Sequence, residues 1–366
     1  MPTVRFGLDA RAAFLDPHRG FGRVTRCLAE ALLDEAPGEI VLFVPHGAVV
    51  PARWYPRAAA IVHLSRPRRA AFLVDGPAWA WTLRRHPVDA LHLPAWGVPP
   101  GMTVPVVATF YDATPFRFPA PPGRWTRVRA RMAIRSLARA RLVHAISEHA
   151  RQEFSSLAPR GAGSAVRVLL GVGPPFSPAP VPLPPRHVLF VGGAEAHKNL
   201  DVVLRALGMP GAEDLPPLVV ACGVGPARDL SARLAPELTG GRVSFATALD
   251  DASLAELYRH ALAVVVPSRN EGFGLPALEA MACGCPVVAA RAGALPEVCG
   301  EAADLLDPDD AAAWRDALRA LRDRPGLRAA RVASGLERAA TLTWSRTARG
   351  LLEVYRAATR RPSVRI

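Results

Sequence analysis

Residues 264–297 read VVVPSRNEGFGLPALEAMACGCPVVAARAGALPE, and they carry the clearest indication of the fold class. Ala263–Val266 is a short apolar run rich in β-branched residues, which indicates a buried parallel strand. A loop with two glycines follows, and a helix is predicted from about Ala277 to near Gly284. A second apolar run from Pro286 predicts another buried strand. Strand, glycine loop, helix and strand in succession are typical of a doubly wound parallel sheet.

The glycine loop has the composition of a site for an anion. Two glycines before a helix let backbone N–H groups approach a ligand, and the helix dipole favours negative charge there. Two carboxylates, Glu271 and Glu279, frame the loop with seven residues between them. Backbone N–H groups suit phosphate oxygens and carboxylates suit hydroxyls, so the stretch predicts a site for a nucleotide sugar.

The same run resembles the signature of the retaining nucleotide-sugar glycosyltransferases of the GT-B fold, family 4, whose E-x7-E motif reads EGFGLPxLE. Both glutamates, both loop glycines and the following MACGxPVVA coincide. The resemblance implies a metal-independent hexosyltransferase that needs no cofactor and uses a nucleoside-diphosphate sugar. It also implies two doubly wound, Rossmann-like parallel-sheet domains facing a cleft, with the C-terminal helix crossing back to the first domain.

A second motif, Gly192–Leu200, resembles the family's FVGTxEPRKNL, in which a basic pair binds the donor diphosphate. Lys198 matches the family's lysine, and His197 replaces its arginine. Gly193 stands where other branches carry another arginine. The resemblance implies that Lys198, helped by His197 or Arg23, neutralises the charge on the leaving diphosphate.

The donor site implied by the resemblance combines the two motifs. Glu271 would orient the sugar hydroxyls and act in catalysis with Lys198. Glu279 would accept two hydrogen bonds from the ribose. The implied donor-binding residues are His197, Lys198, Gly193, Glu271, Gly272, Phe273, Gly274, Leu275 and Glu279.

Near the start of the chain, Gly20-Phe21-Gly22-Arg23 is predicted to be a glycine-rich turn between the first strand and a helix. It resembles the family's GIGRY loop. The resemblance implies that Gly20, Gly22 and Arg23 contact the acceptor or the donor phosphates.

Asp112 follows the predicted strand Val104–Phe110, at the edge where parallel sheets place chemistry. It is a candidate catalytic residue, or it caps a turn before Pro115. The family carries a histidine where this sequence has Tyr111. Two routes to retention stay open. The departing phosphate oxygen takes the acceptor's proton, or a covalent intermediate forms on Asp112.

Arg117–Arg141 is the most basic segment of the chain. Arg127, Arg131, Arg135 and Arg139 recur every fourth residue and would share one face of a helix. Such a face suits anionic lipid headgroups, but it is more typical of a solvated helix in an arginine-rich proteome. Arginines without interleaved aromatic residues do not indicate nucleic acid.

Composition bounds the domain organisation and the compartment. The 366 residues are 50% hydrophobic and 21% charged, as expected for two globular domains. We predict an acceptor-side domain over residues 1–177, a donor-binding domain over 178–344, and a helix over 345–366 that returns to the first. Without an 18-residue apolar run, neither a membrane span nor a signal peptide is expected. Five cysteines without metal spacing favour the cytoplasm, with a peripheral position at the inner membrane face as a further option.

The net charge of +13 comes almost entirely from arginine. Lys198 is the one lysine of the sequence, and Asn199 and Asn270 are its two asparagines. All three fall in the two motifs that predict the site. A position that needs a compact ammonium group resists replacement by a planar guanidinium.

The donor's base and the acceptor are less well defined by the sequence. The His-Lys-Asn variant resembles branches that act on mannose-containing bacterial polysaccharides, which favours GDP-mannose weakly. The acceptor would be a hydroxyl of a glycan, a lipid-linked sugar or a small molecule. Two alternatives remain, a nucleotide-sugar 2-epimerase on the same fold and a sugar-nucleotide-binding protein that has lost catalysis.

Overall fold

The computed structural model describes residues 4–15, 17, 20–64, 75–95, 97–118, 124–180, 185–234 and 241–360. Strands and helices alternate along these ranges. The strands are β1 (Phe6–Asp9), β2 (Ile40–Pro45), β3 (Ala60–Leu64), β4 (Ala90–Leu93), β5 (Val106–Phe110), β6 (Leu142–Ala145), β7 (Ala165–Arg167), β8 (His187–Val191), β9 (Leu218–Cys222), β10 (Val243–Thr247), β11 (Ala261–Val266), β12 (Val287–Ala290) and β13 (Ala303–Leu306).

Helices lie between most of the successive strands, and three more follow β13 within these ranges. They are α1 (Ala12–Leu15), α2 (Gly20–Glu35), α3 (Gly76–Arg85), α4 (Thr114–Arg117), α5 (Arg124–Leu137), α6 (Glu148–Leu157), α7 (Leu200–Gly208), α8 (Val224–Leu234), α9 (Asp251–His260), α10 (Leu275–Ala282), α11 (Leu295–Cys299), α12 (Ala311–Asp323), α13 (Pro325–Thr341) and α14 (Trp344–Thr359). No helix among the described residues is both long and apolar enough to cross a membrane.

The strands form two sheets, and the predicted fold class is confirmed. The first sheet has the order β3-β2-β1-β4-β5-β6-β7, and the second has the order β10-β9-β8-β11-β12-β13. Neighbouring strands are parallel throughout both sheets. Because helices cover both faces of such sheets, strands such as β2 and β11 are buried at every residue.

The chain divides into two compact units. The first comprises the described residues up to Leu170 together with those from Trp344 onward, and the second is Gly171–Thr343. Helix α14 therefore belongs to the first unit, where it packs against α2 and β4. Within the second unit, Val172 forms a parallel bridge with Thr343, so the two ends of that unit lie side by side.

A chain of buried polar groups crosses the core of the first unit. The Tyr355 hydroxyl on α14 lies 2.6 Å from Nδ1 of His92 on β4, and His92 Nε2 lies 2.8 Å from Thr109 Oγ1 on β5. Thr109 Oγ1 lies 3.1 Å from Nδ1 of His144 on β6. His144 Nε2 then lies 2.8 Å from the carbonyl oxygen of Val168.

The direction of these hydrogen bonds follows from the last acceptor. A carbonyl oxygen can only accept, so His144 Nε2 donates to Val168 and Nδ1 accepts from Thr109. Thr109 in turn accepts from His92 Nε2, and His92 Nδ1 accepts from Tyr355. Both imidazoles are neutral in this arrangement. Burial is the main reason that the pKa of His92 lies well below its ordinary value and that of His144 falls to about 4.

Candidate functional site

The second sheet changes direction between β8 and β11. Strand order runs outward from β8 to β10 on one side and from β11 to β13 on the other. In doubly wound sheets, ligands bind outside the carboxyl ends of the strands at such a switch point. Lys198 lies in the loop after β8 and Glu271 lies in the loop after β11. The two motifs predicted from the sequence therefore meet where the topology predicts a site.

Lys198 and Glu271 are in direct contact. The Lys198 Nζ atom lies 2.6 Å from Glu271 Oε1, and the two side chains are 22% and 12% exposed. Ser268, which is 1% exposed, donates its hydroxyl to the same oxygen at 2.7 Å. One oxygen of Glu271 thus holds an ammonium group and a hydroxyl in place. Sequence analysis missed Ser268, because a serine at a strand end is most often a turn residue.

The charge of Glu271 is set by these neighbours. Burial alone would raise the pKa of this carboxyl group. This effect of burial is outweighed by the charge and hydrogen bond of Lys198, by the hydroxyl of Ser268 and by the charge of His197. The pKa of Glu271 therefore lies below its ordinary value. Glu271 is therefore a carboxylate at neutral pH and can accept hydrogen bonds from hydroxyl groups.

The backbone of Glu271 packs against a glycine that sequence analysis also missed. Ala294 N donates to the Glu271 carbonyl oxygen at 2.9 Å. Gly293 precedes it with φ of 58°, and a Cβ atom there would lie 2.6 Å from both N and O of Glu271. A side chain at position 293 is thus excluded by contact as well as by conformation. The loop between β12 and α11 supports the loop that carries Glu271.

The glycine loop opens α10 as the sequence predicts, two residues earlier than expected. Leu275 is the first residue of the helix, and Gly274 precedes it with φ of 97°. No side chain in the described part of the chain caps this helix end. Gly272, Phe273 and Gly274 are buried. Their role as backbone donors to a ligand stays a prediction, and the geometry that it needs is present.

Gly193 and His197 lie in the loop between β8 and α7, and both are half-buried. The carbonyl oxygen of His197 accepts a hydrogen bond from Arg269 N at 2.8 Å. A Cβ atom at Gly193 would collide with the carboxylate of Glu195. An arginine at this position would therefore require Glu195 to move. Their contacts with a donor stay predictions.

Glu279 lies on α10 and is 2% exposed. Its Oε2 atom accepts a hydrogen bond of 2.9 Å from the hydroxyl of Tyr258, a fully buried residue of α9. Because a buried carboxylate without donors costs several kcal/mol, this hydroxyl helps Glu279 to stay in the core. The role of Glu279 toward a ribose stays a prediction.

The candidate residues of the first unit differ in part from expectation. The turn predicted at Gly20-Phe21-Gly22-Arg23 is wrong, because these residues form the first turn of α2. Neither glycine takes the positive φ that a tight glycine turn uses. Gly22 is buried, whereas Gly20 is exposed and Arg23 is half-buried. Their contact with an acceptor or with phosphates stays a prediction.

Asp112 follows β5 as expected, and its Oδ1 atom accepts a hydrogen bond from Thr114 N at 2.8 Å. The side chain thus stabilises the turn that begins α4, which is the capping role considered for it. Its catalytic role stays a prediction. No group of three or more metal-binding side chains occurs within the described ranges.

A family model described as "Glycosyl transferases group 1" matches residues 177–337. Residues 177–337 are therefore similar to the glycosyl transferases group 1 family. The matched segment contains Lys198, Glu271 and Glu279, and it confirms the family resemblance seen in the E-x7-E motif.

Curated relatives are similar to about half of the chain. A D-inositol 3-phosphate glycosyltransferase of Thermomonospora curvata is 42% identical over 183 residues, 47% of this chain and 42% of that protein. The protein of the same name from Thermobispora bispora is 39% identical over 207 residues, 51% of this chain and 48% of that protein. The chain thus spans less than half the length of these relatives.

Solved structures extend the similarity of the fold to almost the whole chain. Sucrose-phosphate synthase from Thermosynechococcus elongatus superposes with a TM-score of 0.76 at 20% identity, covering 97% of this chain and 98% of that one. HepE from Anabaena, solved with UDP and glucose, has a TM-score of 0.69 at 17% identity, covering 97% and 100%. These neighbours confirm the GT-B fold.

Proposed function

We propose that this protein is a retaining, metal-independent glycosyltransferase that moves a hexose from a nucleoside-diphosphate sugar to an acceptor hydroxyl. The observation that carries the proposal is the Lys198–Glu271 pair at the switch point of the group 1 segment. The pair offers a cation for the diphosphate and a carboxylate for the sugar hydroxyls within one site.

The proposed chemistry uses Lys198 for the leaving group. When the bond between the anomeric carbon and the diphosphate breaks, negative charge grows on the phosphate oxygen. An ammonium group held at that position stabilises the transition state more than the ground state. Half-buried His197 lies beside it in the chain, and Arg23 of the first unit is a further candidate. These cations would replace a metal ion.

The proposed binding of the sugar uses Glu271. Its Oε1 atom already accepts from Lys198 and Ser268, so its orientation is fixed before a ligand arrives. A fixed carboxylate loses little entropy when it binds a hydroxyl. The N–H groups of the Gly272–Leu275 loop would bind the diphosphate at the positive end of α10.

The identity of the donor is the finer part of the proposal. The His197-Lys198-Asn199 variant supports GDP-mannose weakly, whereas HepE was solved with UDP and glucose. The relatives are named for an acceptor that carries a phosphate. We retain GDP-mannose as the first donor to test, with glycans, lipid-linked sugars and small molecules as acceptors.

The first experiment measures thermal stabilisation of the protein by GDP, UDP and ADP, each with and without EDTA. A ligand that binds only the folded state stabilises it by about 2.7 kcal/mol at a hundredfold excess over its Kd. We expect one nucleotide to stabilise the wild type regardless of EDTA. Lys198→Ala should abolish this effect. The matched control Lys198→Arg keeps the charge but loses the compact ammonium group, so it should retain part of it.

The enzyme assay then separates the alternatives. A glycosyltransferase releases nucleotide only when an acceptor is present, and its product keeps the anomeric configuration of the donor. A 2-epimerase would convert the donor without an acceptor. A protein that binds the donor but releases nothing with any acceptor would be the catalytically degenerate form. If no nucleotide shifts the melting temperature at millimolar concentration, the proposed donor site is wrong.

We further propose that α5 contacts anionic membrane. Val128 and Met132, one turn apart, are 38% and 39% exposed. Arg131 and Arg135 are exposed beside them and form no ion pair with any described residue. The segment 117–141 contains no acidic residue. An exposed apolar pair flanked by unpaired arginines suits the boundary between headgroups and acyl chains. The side chain of Arg127 lies outside the described residues.

Vesicle sedimentation tests this contact. The wild type should bind vesicles that contain phosphatidylglycerol and leave pure phosphatidylcholine unbound, and high salt should weaken the binding. The double variant Val128→Ser, Met132→Ser should bind less. The control Trp81→Ser removes an apolar side chain that is 57% exposed on α3, and it should bind as the wild type does. Equal binding by all three proteins would show that α5 is not the contact.

A further inference from the structure

Asn199 has no role in the mechanism proposed above. It lies between the short 3-10 turn Ala196–Lys198 and α7, and its side chain is almost completely buried. Its backbone is left-handed, with φ of 53° and ψ of 38°. Most residues other than glycine avoid this conformation, and asparagine tolerates it better than most. A strained position directly after Lys198 calls for an explanation.

The side-chain amide of Asn199 joins three loops at the carboxyl edge of the second sheet. Its Nδ2 atom donates to the carbonyl oxygen of Pro267 at 3.1 Å, directly after β11. It also donates to the carbonyl oxygen of Pro308 at 2.7 Å, shortly after β13. Its Oδ1 atom accepts from Arg269 Nη2 at 3.0 Å. Both protons of the side-chain amide are therefore donated in hydrogen bonds, and its Oδ1 atom accepts one.

These loops carry the groups that meet in the candidate site. Lys198 precedes Asn199 in the chain, and Pro267 precedes Ser268, the residue that holds Glu271. Joining Asn199 to Pro267 therefore fixes the distance between the segments that present the ammonium group and the carboxylate. A displacement of these loops by 1 Å would separate Lys198 from Glu271 beyond hydrogen-bond range.

We propose that Asn199 is a positioning residue, which holds the loop after β8 against the loops after β11 and β13 so that Lys198 meets Glu271. The consequence for donor binding rests on the proposed function, whereas the effect on the Lys198–Glu271 contact does not. Asn199 acts through Lys198 and need not touch a ligand.

The chemistry explains why asparagine is needed at this position. Glycine adopts the same backbone conformation easily but makes none of the three side-chain bonds. Aspartate tolerates the conformation, but its carboxylate has no proton to donate and would face two carbonyl oxygens. Alanine loses the bonds and is strained as well. Asparagine combines a tolerated left-handed backbone with two donors.

Two variants and one control test the proposal. Asn199→Gly removes the side chain without backbone strain, and Asn199→Asp replaces the two donors with a charged carboxylate oxygen that can only accept. The control Asp250→Gly removes the cap of α9, a bond of 2.8 Å to Ser253 N in the same unit. Calorimetry with GDP and UDP gives the dissociation constants. We expect both Asn199 variants to weaken binding of the preferred nucleotide at least tenfold, as roughly 1.4 kcal/mol per factor of ten implies. The control should stay within twofold of the wild type.

A second measurement needs no ligand. A double-mutant cycle with Lys198→Met and Glu271→Gln gives the coupling free energy of the pair from urea unfolding. In the Asn199→Gly background, this coupling should fall to less than half.

Unchanged coupling together with unchanged nucleotide affinity would overturn the proposal. If the wild type binds no nucleotide, the proposed function fails, and the coupling still decides the role of Asn199. Should Asn199→Gly not fold, Arg269→Ala removes the bond to Oδ1 together with the ion pair between Arg269 and Asp309. It is expected to reduce the coupling partly, and no reduction would refute the role.

Discussion

Acid should destabilise the first unit by protonating its buried histidines. Each imidazole accepts one hydrogen bond and donates one, in a chain that runs from Tyr355 to the carbonyl oxygen of Val168. A protonated imidazole has two donors and no acceptor. Protonating His144 would therefore set its Nδ1–H against the hydroxyl proton of Thr109, and both residues are buried.

The magnitude follows from the pKa of His144, which burial lowers from 6.5 to about 4 despite the hydrogen bond to Val168. The unfolded chain binds this proton first as the pH falls, so stability is complete above about 6.5 and is lost between there and about 4. Between about pH 7.5 and about pH 5, linkage gives a loss of about 2 kcal/mol from His144 alone. His92, whose pKa is also lowered, increases the loss.

The assay compares the wild type with His144→Gln by urea unfolding at both pH values. Hydrogen exchange at β4–β6 identifies the transition of the first unit. Glutamine loses some hydrogen bonding at every pH, but it does not titrate. The wild type should therefore lose about 2 kcal/mol more than the variant when the pH is lowered. If the stabilities of both proteins fall in parallel, His144 is not the acid-sensitive group.

Two further substitutions test the packing around the site. Gly293→Ala should destabilise the second unit by about 3 kcal/mol or more in urea unfolding, because its Cβ would contact the Glu271 backbone. The control Gly241→Ala has φ of 74° but no atom within 4 Å of the added Cβ, so about 1 kcal/mol is expected; equal losses would show that the contact is unimportant. Tyr258→Phe should cost about 1–3 kcal/mol because Glu279 loses a donor inside the core, and a stability equal to that of the wild type would contradict this.

The sequence predicted the second unit closely because each of its signals is local. β11 ends at Val266 as predicted, and α10 begins two residues before the predicted position, since an apolar run is bounded there by a proline and a glycine loop. The scarcity of lysine and asparagine also pointed to Lys198 and Asn199 before any contact was known. Such a signal depends on composition and on no spatial information.

What could not be predicted depends on contacts between distant segments. His92 and His144 stand in short apolar runs, where a single histidine indicates only a core position. Their partners become apparent once strand register places Thr109 opposite His144 and α14 brings Tyr355 to the sheet. Gly293 was missed for the same reason, because its packing against Glu271 joins residues in different loops.

The order of the units along the chain has a consequence for synthesis on the ribosome. The second unit is a single continuous segment, with Val172 N bonded to the carbonyl oxygen of Leu342 at its two ends. It can fold as soon as its own residues have left the exit tunnel, because none of its elements follows in the chain. The first unit emerges earlier but lacks α14, and with it the hydroxyl group that His92 requires. The half of the protein that is translated first therefore cannot complete its core until α14 has emerged.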